Sequence, residues 1–271
     1  MVTEFEFALH EVGPIIHFGF LFWSLDQGAA MLRHARGVID ALPDEVNVMV
    51  GGLNAPPAPF VPEEHQLQPG YAAIVVGTGT PEQHAEVVAA LREGTPPLVE
   101  FASPMPYVEL QKMLDEANAW GLHCYDKGCY VDELSDDVID VVTEHVPGKV
   151  SPLSIALFYR LDGAYSRVDE GATAFSGGRS SRFALFAIGV CPVPEMFDAE
   201  RAWVRGFAEA LGPVSTDDGV YVNGMTDFDA RTPVRTAYGP EKYARLVDIK
   251  TAYDPDNVFH CNANILPAAS A

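Results

Sequence analysis

Residues 3–27, TEFEFALHEVGPIIHFGFLFWSLDQ, carry the pattern that decides the fold. Residues 3–9 alternate polar and apolar side chains with a period of two, as the two faces of a strand require. Phe5, Phe7 and Leu9 are therefore predicted to share one face of a first strand.

The residues that follow predict a turn, a second strand and a helix. Gly13-Pro14 interrupts the alternation, and residues 15–23 form a mostly apolar run that predicts a second strand. Residues 24–27, SLDQ, form a capping-box pattern, so a helix is expected to begin near Leu25 and to end at Pro43.

Strand and helix signals continue to the C terminus. Further strands are predicted over residues 46–50, 71–76, 153–159 and 183–190, and further helices over residues 81–92, 106–120, 136–145, 199–211 and 240–253. Many of the strands are short and two-faced, and they alternate irregularly with the helices. This pattern predicts an α+β fold, a mostly antiparallel sheet covered by helices on one face and followed by a C-terminal helix-and-tail segment.

The charge balance limits the expected partners. The 271 residues include 17 Lys and Arg against 38 Asp and Glu, a formal net charge of −21. An acidic surface repels phosphate groups, so neither nucleic acid nor a membrane is expected as a partner, and solubility is the ordinary explanation of the charge. The longest apolar run is too short to span a bilayer, the acidic N terminus carries no secretory signal, and four cysteines without a CxxC spacing indicate free thiols. A cytoplasmic protein is expected.

Two motifs that suggest other chemistries fail on their spacing. Residues 77–80, GTGT, lie between a predicted strand and a predicted helix, but Glu82 occupies the position of the third glycine that a dinucleotide-binding loop requires. This segment is interpreted as a strand-to-helix turn. The eight histidines show no ligand spacing, so no metal site is expected, and the absence of a GxSxG sequence argues against a hydrolase nucleophile.

The C-terminal stretch is the most informative part of the chain. It contains the segments YGPEKYARL (238–246), IK (249–250), YDPDNVF (253–259) and NANI (262–265). The spacing of the apolar side chains predicts a helix that ends at Asp254-Pro255, where the proline ring cannot continue it. Beyond this helix, Asn262 and Asn264 stand at alternate positions and could both present amide groups to a ring system if the tail is extended.

This stretch resembles the C-terminal segment of the berberine bridge enzyme-like flavoproteins, FAD-linked oxidases of the vanillyl-alcohol oxidase type. The family pattern is close to Y-G-x-x-K-Y-x-R-L, often with Asn at the Lys position, followed by K-x-x-Y-D-P-x-N-x-F and N-x-N-I. Further family landmarks extend the resemblance over nearly the whole chain: VTEFEFALH (2–10), Pro106-Tyr107 with Gln111, YDK (125–127), and ATAF (172–175) before Arg179.

The resemblance implies FAD as the cofactor and a small alcohol, sugar or amine as the substrate, which is oxidised by hydride transfer to the flavin. It implies a substrate-binding α+β domain over residues 1–225 and the berberine bridge enzyme-like C-terminal segment over residues 226–271. Tyr238 is implied as the catalytic base at the junction of flavin and substrate, although it could instead merely pack in the first turn of the helix. The other implied roles are flavin contacts for Asn262 and Asn264 and substrate binding for Lys127 and Arg179.

The chain also departs from the family. The family's FAD-binding domain, with the pyrophosphate loop and the residues that bond covalently to the flavin, precedes the strand at Thr3. These functions are therefore expected to come from a separate FAD-binding domain or subunit. Asp126 replaces the Trp that usually precedes Lys127, which leaves the substrate unidentified. The alternative interpretation is a non-enzymatic orphan domain that binds a ligand or pairs with a flavin subunit.

Overall fold

The computed structural model describes residues 3–115, 118–216, 222, 234–261 and 263–268. The strands within these residues are β1 (Ile15–Ser24), β2 (Val46–Asn54), β3 (Pro69–Gly77), β4 (Val99–Pro106), β5 (His123–Val131), β6 (Ile155–Arg160) and β7 (Phe183–Cys191). The α-helices are α1 (Gly28–Asp40), α2 (Pro81–Gly94), α3 (Tyr107–Lys112), α4 (Asp136–His145), α5 (Ala164–Arg167), α6 (Phe197–Leu211), α7 (Val234–Tyr238) and α8 (Pro240–Tyr253). Within the part of the chain described, no helix is both long and apolar enough to cross a membrane.

The strands form one sheet in the order β4-β1-β3-β2-β6-β7-β5. Every neighbouring pair is antiparallel. The predicted α+β fold with a mostly antiparallel sheet is therefore confirmed. The capping box predicted before α2 is also present, since Gln83 N donates to Thr80 Oγ1 at 3.3 Å and Thr80 N donates to Gln83 Oε1 at 2.9 Å.

The first predicted strand is wrong. Residues 3–13 form no strand, and Phe5 and Phe7 are each 72% exposed, with their rings stacked on each other at 5.8 Å. Alternation only makes a segment suitable for a sheet edge, and a strand forms when a partner strand supplies the hydrogen bonds. Among the described residues, the first strand along the chain is β1 instead.

Two strands lie where the sequence did not predict them, and one predicted helix is shorter. β4 contains Pro104 and Pro106, which weaken a strand signal, but it is an edge strand, where a missing N–H is tolerated. β5 is the opposite edge, and its polar residues hide its strand character. The helix expected over residues 106–120 ends as α3 at Lys112.

Four helices cover one face of the sheet, which we call the helical face. α1, α2, α4 and α6 pack on this face and on one another, above a core formed by every second side chain of the strands. A close approach of α1 depends on Gly28, because a Cβ there would lie 2.2 Å from Cε2 of Tyr71. Side chains from six strands contribute to this core, including Leu21, Trp23, Val48, Val50, Tyr71, Val75, Tyr125, Val131, Phe158 and Leu185.

The opposite face is only partly covered. Along β1, the aromatic side chains of Phe18, Phe20 and Phe22 belong to a second core cluster on this face. Phe60, from the long connection between β2 and β3, packs on this cluster and stacks on Phe101 of β4 at 4.5 Å. The sheet thus has one face closed by helices and a second face that is closed at one end by a connecting segment.

A buried carboxylate ties α6 to the sheet. Glu200 is 1% exposed, and its oxygens accept hydrogen bonds from the backbone N–H groups of Val150 and Ser151 and from Ser154 Oγ, the last at 3.0 Å. The same Ser154 hydroxyl accepts from Val190 N of β7 at 3.0 Å. One side chain therefore fixes a helix, a turn and a strand together.

We expect Glu200→Ala to be strongly destabilising, because it leaves three hydrogen-bond donors, two of them buried, without an acceptor. The free energy of unfolding should fall by roughly 3 kcal/mol or more, given a cost of about 1–3 kcal/mol for each buried group that loses its partner. Urea denaturation of the two proteins measures the difference. Glu209→Ala, an exposed position on the same helix, is the matched control, and equal losses for both variants would contradict the structural role of Glu200.

Candidate functional site

The half-buried part of the second sheet face is the candidate functional site, and we call it the open face. It is lined by half-buried side chains from four central strands: Met49, Ile74, Val76, Tyr159, Phe186 and Ile188. Their strand neighbours point to the helical face, since side chains alternate along each strand. The open face is therefore an apolar and aromatic surface on a rigid sheet.

Two aromatic rings and a carboxylate give the open face its chemical character. Tyr159 and Phe186 meet edge to face, with ring centroids 5.8 Å apart. Burial raises the pKa of Tyr159, so this phenol stays protonated at neutral pH. Asp126 is paired with Ile188 in the sheet, which places this half-buried residue on the same side as the two rings.

Asp126 and the ring pair were not predicted as site residues. The strand signals over residues 153–159 and 183–190 could have separated the two faces, but no local pattern indicates which face helices will cover. Asp126 was noted only as a departure from the family, and its strand was not predicted. Pairing of β5 with β7 is what brings Asp126 to the open face.

Lys127 lies on the helical face. Its partner in the sheet is Ala187, a member of the core beneath the helices, and its ammonium nitrogen lies 5.7 Å from the centre of the Tyr125 ring. The hydroxyl of Tyr125 accepts a hydrogen bond from Arg205 Nε on α6 at 2.9 Å. Lys127 is thus directed toward α6, on the opposite side of the sheet from Asp126.

Arg179 organises the loop between β6 and β7. Its guanidinium packs against the rings of Tyr165 and Phe175, at 5.3 and 5.0 Å from their centres. Nη1 donates to Tyr165 O at 2.9 Å, and Nη2 donates to Thr173 Oγ1 at 3.1 Å. The predicted substrate-binding arginine is therefore already engaged by its own loop, which it holds in shape.

Tyr238 is the last residue of α7, and a sharp turn follows it. Gly239 has a φ of 73°, a left-handed conformation that glycine adopts without strain, and α8 begins at the next residue. Burial raises the pKa of Tyr238, which favours the protonated phenol. A general base at neutral pH needs a lowered pKa, and burial moves the pKa of this phenol in the opposite direction.

The tail after α8 folds back on the end of that helix. Asp254 accepts hydrogen bonds from Val258 N at 2.8 Å and from Phe259 N at 3.1 Å. Asn264 Nδ2 donates to Asn257 Oδ1 at 3.1 Å, a bond that joins the tail to the turn at Asn257. Asn264 thus has a local partner in the tail, and Asn262 lies outside the described residues.

The C-terminal segment is weakly buried. α8 contains no fully buried side chain, and Phe259 is 72% exposed. Ile265 is half-buried. The apolar side chains of the tail are therefore partly exposed to solvent.

The family resemblance of this segment is supported by a family model. Residues 220–266 match the model described as "Berberine and berberine like". Over 269 residues the chain is 23% identical to an FAD-linked oxidoreductase of Dictyostelium discoideum, a match that covers 98% of this chain and 55% of the relative. The chain thus spans about half the length of the curated relative it matches.

Solved structures of similar fold include several oxidases. BBE-like 1 of Physcomitrella patens superposes with a TM-score of 0.76 at 15% identity, covering 97% of this chain and 56% of that one. Xylooligosaccharide oxidase of Myceliophthora thermophila gives a TM-score of 0.73 at 17% identity, with coverages of 96% and 57%. 6-Hydroxy-D-nicotine oxidase of Arthrobacter nicotinovorans superposes with a TM-score of 0.71 at 18% identity, covering 94% of this chain and 56% of that one.

These likenesses at low identity show a shared fold. Together with the match over residues 220–266, they confirm the predicted resemblance to the berberine bridge enzyme-like FAD-linked oxidases for the portion compared. The roles predicted for Tyr238, Lys127, Arg179, Asn262 and Asn264 stay predictions.

The raised pKa of Tyr238 can be measured directly. The difference in phenolate absorbance between the wild type and Tyr238→Phe reports the ionisation of Tyr238. We expect this difference to develop only above about pH 10, the ordinary pKa of tyrosine, because burial disfavours the charged form. The measurement is a spectrophotometric pH titration of the wild type and the variant. The same subtraction with Tyr253→Phe, whose ring is largely exposed, calibrates the signal of one phenol. Phenolate at Tyr238 below pH 8 would contradict the expectation.

Proposed function

We propose that this chain forms the substrate side of an FAD-dependent oxidoreductase that oxidises a small alcohol, sugar or amine. The observation that carries the proposal is the open face: an aromatic and apolar, half-buried sheet surface opposite the helical face, in a chain whose residues 220–266 match the berberine-like family model. A helix-covered sheet with one accessible face suits the binding of a flat molecule against it.

The residues present fit a planar ring system. Tyr159 and Phe186 offer ring surfaces, and Met49 and Ile188 offer apolar contacts on the same face. Bound there, FAD supplies the hydride acceptor. Asn264 and Asn262 are proposed to contact the same ring system, since the hydrogen bond of Asn264 to Asn257 leaves one N–H and the carbonyl oxygen of its amide for the flavin.

Tyr238 is proposed as the residue that removes the proton of the substrate hydroxyl or amine. Its raised pKa in this chain means that assembly with the flavin must bring a cation near the phenol oxygen, because burial alone keeps it protonated. Lys127 is not among the causes of the Tyr238 pKa shift, and its side chain lies on the helical face, beside Tyr125.

Arg179 is proposed to act on the substrate through its loop. Two of its nitrogens are already bonded within the loop, so the polar groups that the loop presents are a better candidate for contact with substrate hydroxyls than the guanidinium itself. Asp126 is a further candidate, as an acceptor for hydroxyl or ammonium groups on the open face.

The alternative is a non-enzymatic binding module that binds a ligand or pairs with a separate flavin subunit and carries out no chemistry itself. The observation in its favour is the exposure of Phe5, Phe7, Leu9 and Phe259 near the two ends of the chain. Apolar side chains of this size usually become buried in an interface. The two hypotheses differ in whether the protein binds flavin that a substrate reduces.

The test measures flavin in the protein isolated from its natural cells. Under the proposal this protein carries FAD, and its yellow colour bleaches without oxygen when a suitable alcohol, sugar or amine is added. Tyr238→Phe should lower the rate of flavin reduction by about 10²–10⁴-fold, the usual contribution of a general base, when stopped-flow absorbance is followed.

Tyr253→Phe is the matched control for that variant, because it removes a phenol from the end of the adjoining helix. An unchanged rate for Tyr238→Phe would remove Tyr238 from the catalytic residues. A protein that stays colourless after titration with FAD, or whose flavin no substrate reduces, would favour the binding module.

A further inference from the structure

A buried lysine connects the C-terminal segment to the loop between β6 and β7. The side chain of Lys242, in the first turn of α8, is 12% exposed. Its ammonium group donates to the backbone carbonyl of Phe175 at 2.6 Å and to Glu170 Oε1 at 3.2 Å. Both acceptors belong to the loop that Arg179 organises, so the lysine bridges two distant parts of the sequence.

The same carboxylate also holds Arg179. Glu170 Oε2 accepts a hydrogen bond from the backbone N–H of Arg179 at 3.0 Å, while Oε1 accepts from Lys242. The two oxygens of one side chain therefore join α8 to the residue whose guanidinium packs against Tyr165 and Phe175. Movement of α8 would break the charged contact between Lys242 and Glu170, the side chain that accepts from Arg179 N.

We propose that Lys242 is a positioning residue. It fixes α8, together with Tyr238 just before that helix, relative to the β6–β7 loop that contains Arg179. The inference rests on the proposed function, in which Tyr238 and this loop both serve the substrate. Lys242 touches neither substrate nor flavin in this role; it acts through Glu170 and the carbonyl of Phe175. The β6–β7 loop and α8 then move together as one unit.

The contact differs from an ordinary surface ion pair. Pairs between exposed side chains contribute little, because water screens both charges. Glu170 is 57% exposed, but the ammonium of Lys242 is largely shielded and has a short bond to a backbone carbonyl as well. Removal of the ammonium leaves that carbonyl and the carboxylate without their charged donor, a loss that is larger than that of a neutral hydrogen bond.

Hydrogen exchange of the full chain tests the coupling without any need for flavin. Lys242→Met keeps the length of the side chain and removes its charge. We expect amide protection to fall by about 10-fold both in residues 170–179 and in residues 240–246, which are far apart in sequence. Arg245→Met is the matched control: it removes one positive charge from an exposed position on the same helix and should leave the loop unchanged.

Two further variants separate positioning from a general loss of stability. Lys242→Arg can still donate to both acceptors and should restore protection in both segments. Glu170→Gln should act on the same bridge, so its effect and that of Lys242→Met should be clearly less than additive in the double variant.

The outcomes distinguish this inference from the proposed function. Faster exchange confined to the helix, additive effects of the two variants, or no rescue by arginine would each overturn the positioning role. Exchange that rises in both segments and is rescued supports it. Flavin that no substrate reduces in the wild type would instead overturn the proposed oxidoreductase function, and the exchange data would still decide whether Lys242 couples the two segments.

Discussion

The asymmetry of the sheet is the constraint on which the rest of the structure depends. Each antiparallel strand presents its side chains alternately to two faces, and four helices can cover only one of them. Glu200 secures this arrangement from within, because its carboxylate joins α6 to a turn and to β7. The second face is closed at one end by the segment around Phe60, and the remaining surface is the place where a flat ligand can lie against a rigid support.

The polar side chains around this surface have structural tasks that limit what they can do chemically. Arg179 binds its own loop, Asn264 closes a turn in the tail, and Lys127 lies with Tyr125 on the helical face. A family motif therefore identifies a position, while the contacts of the side chain determine its role. The raised pKa of Tyr238 makes the same point, since the phenol remains protonated until another group compensates for its burial.

The C-terminal segment is joined to the sheet domain mainly through polar contacts of its first turn. α8 buries no side chain completely, yet Lys242 reaches both Phe175 and Glu170. Hydrogen bonds of this kind depend on direction and so fix an orientation with little buried area. The exposed apolar residues at Phe259 and near Phe5 show that both ends of the described chain have surface that further contacts could cover.

The sequence by itself determined the local features and the family resemblance. The capping box of Thr80 and Gln83, the end of α8 before Pro255 and the motif over residues 238–265 each depend on residues close together in the chain, so a linear pattern contains them. Tertiary structure alone decided the rest: residues 3–9 found no partner strand, β4 formed despite its prolines because it is an edge, and strand pairing placed Asp126 and Lys127 on opposite faces. Strand pairing joins residues far apart in the sequence, and a one-residue change of register reverses every side chain, so local patterns cannot determine it.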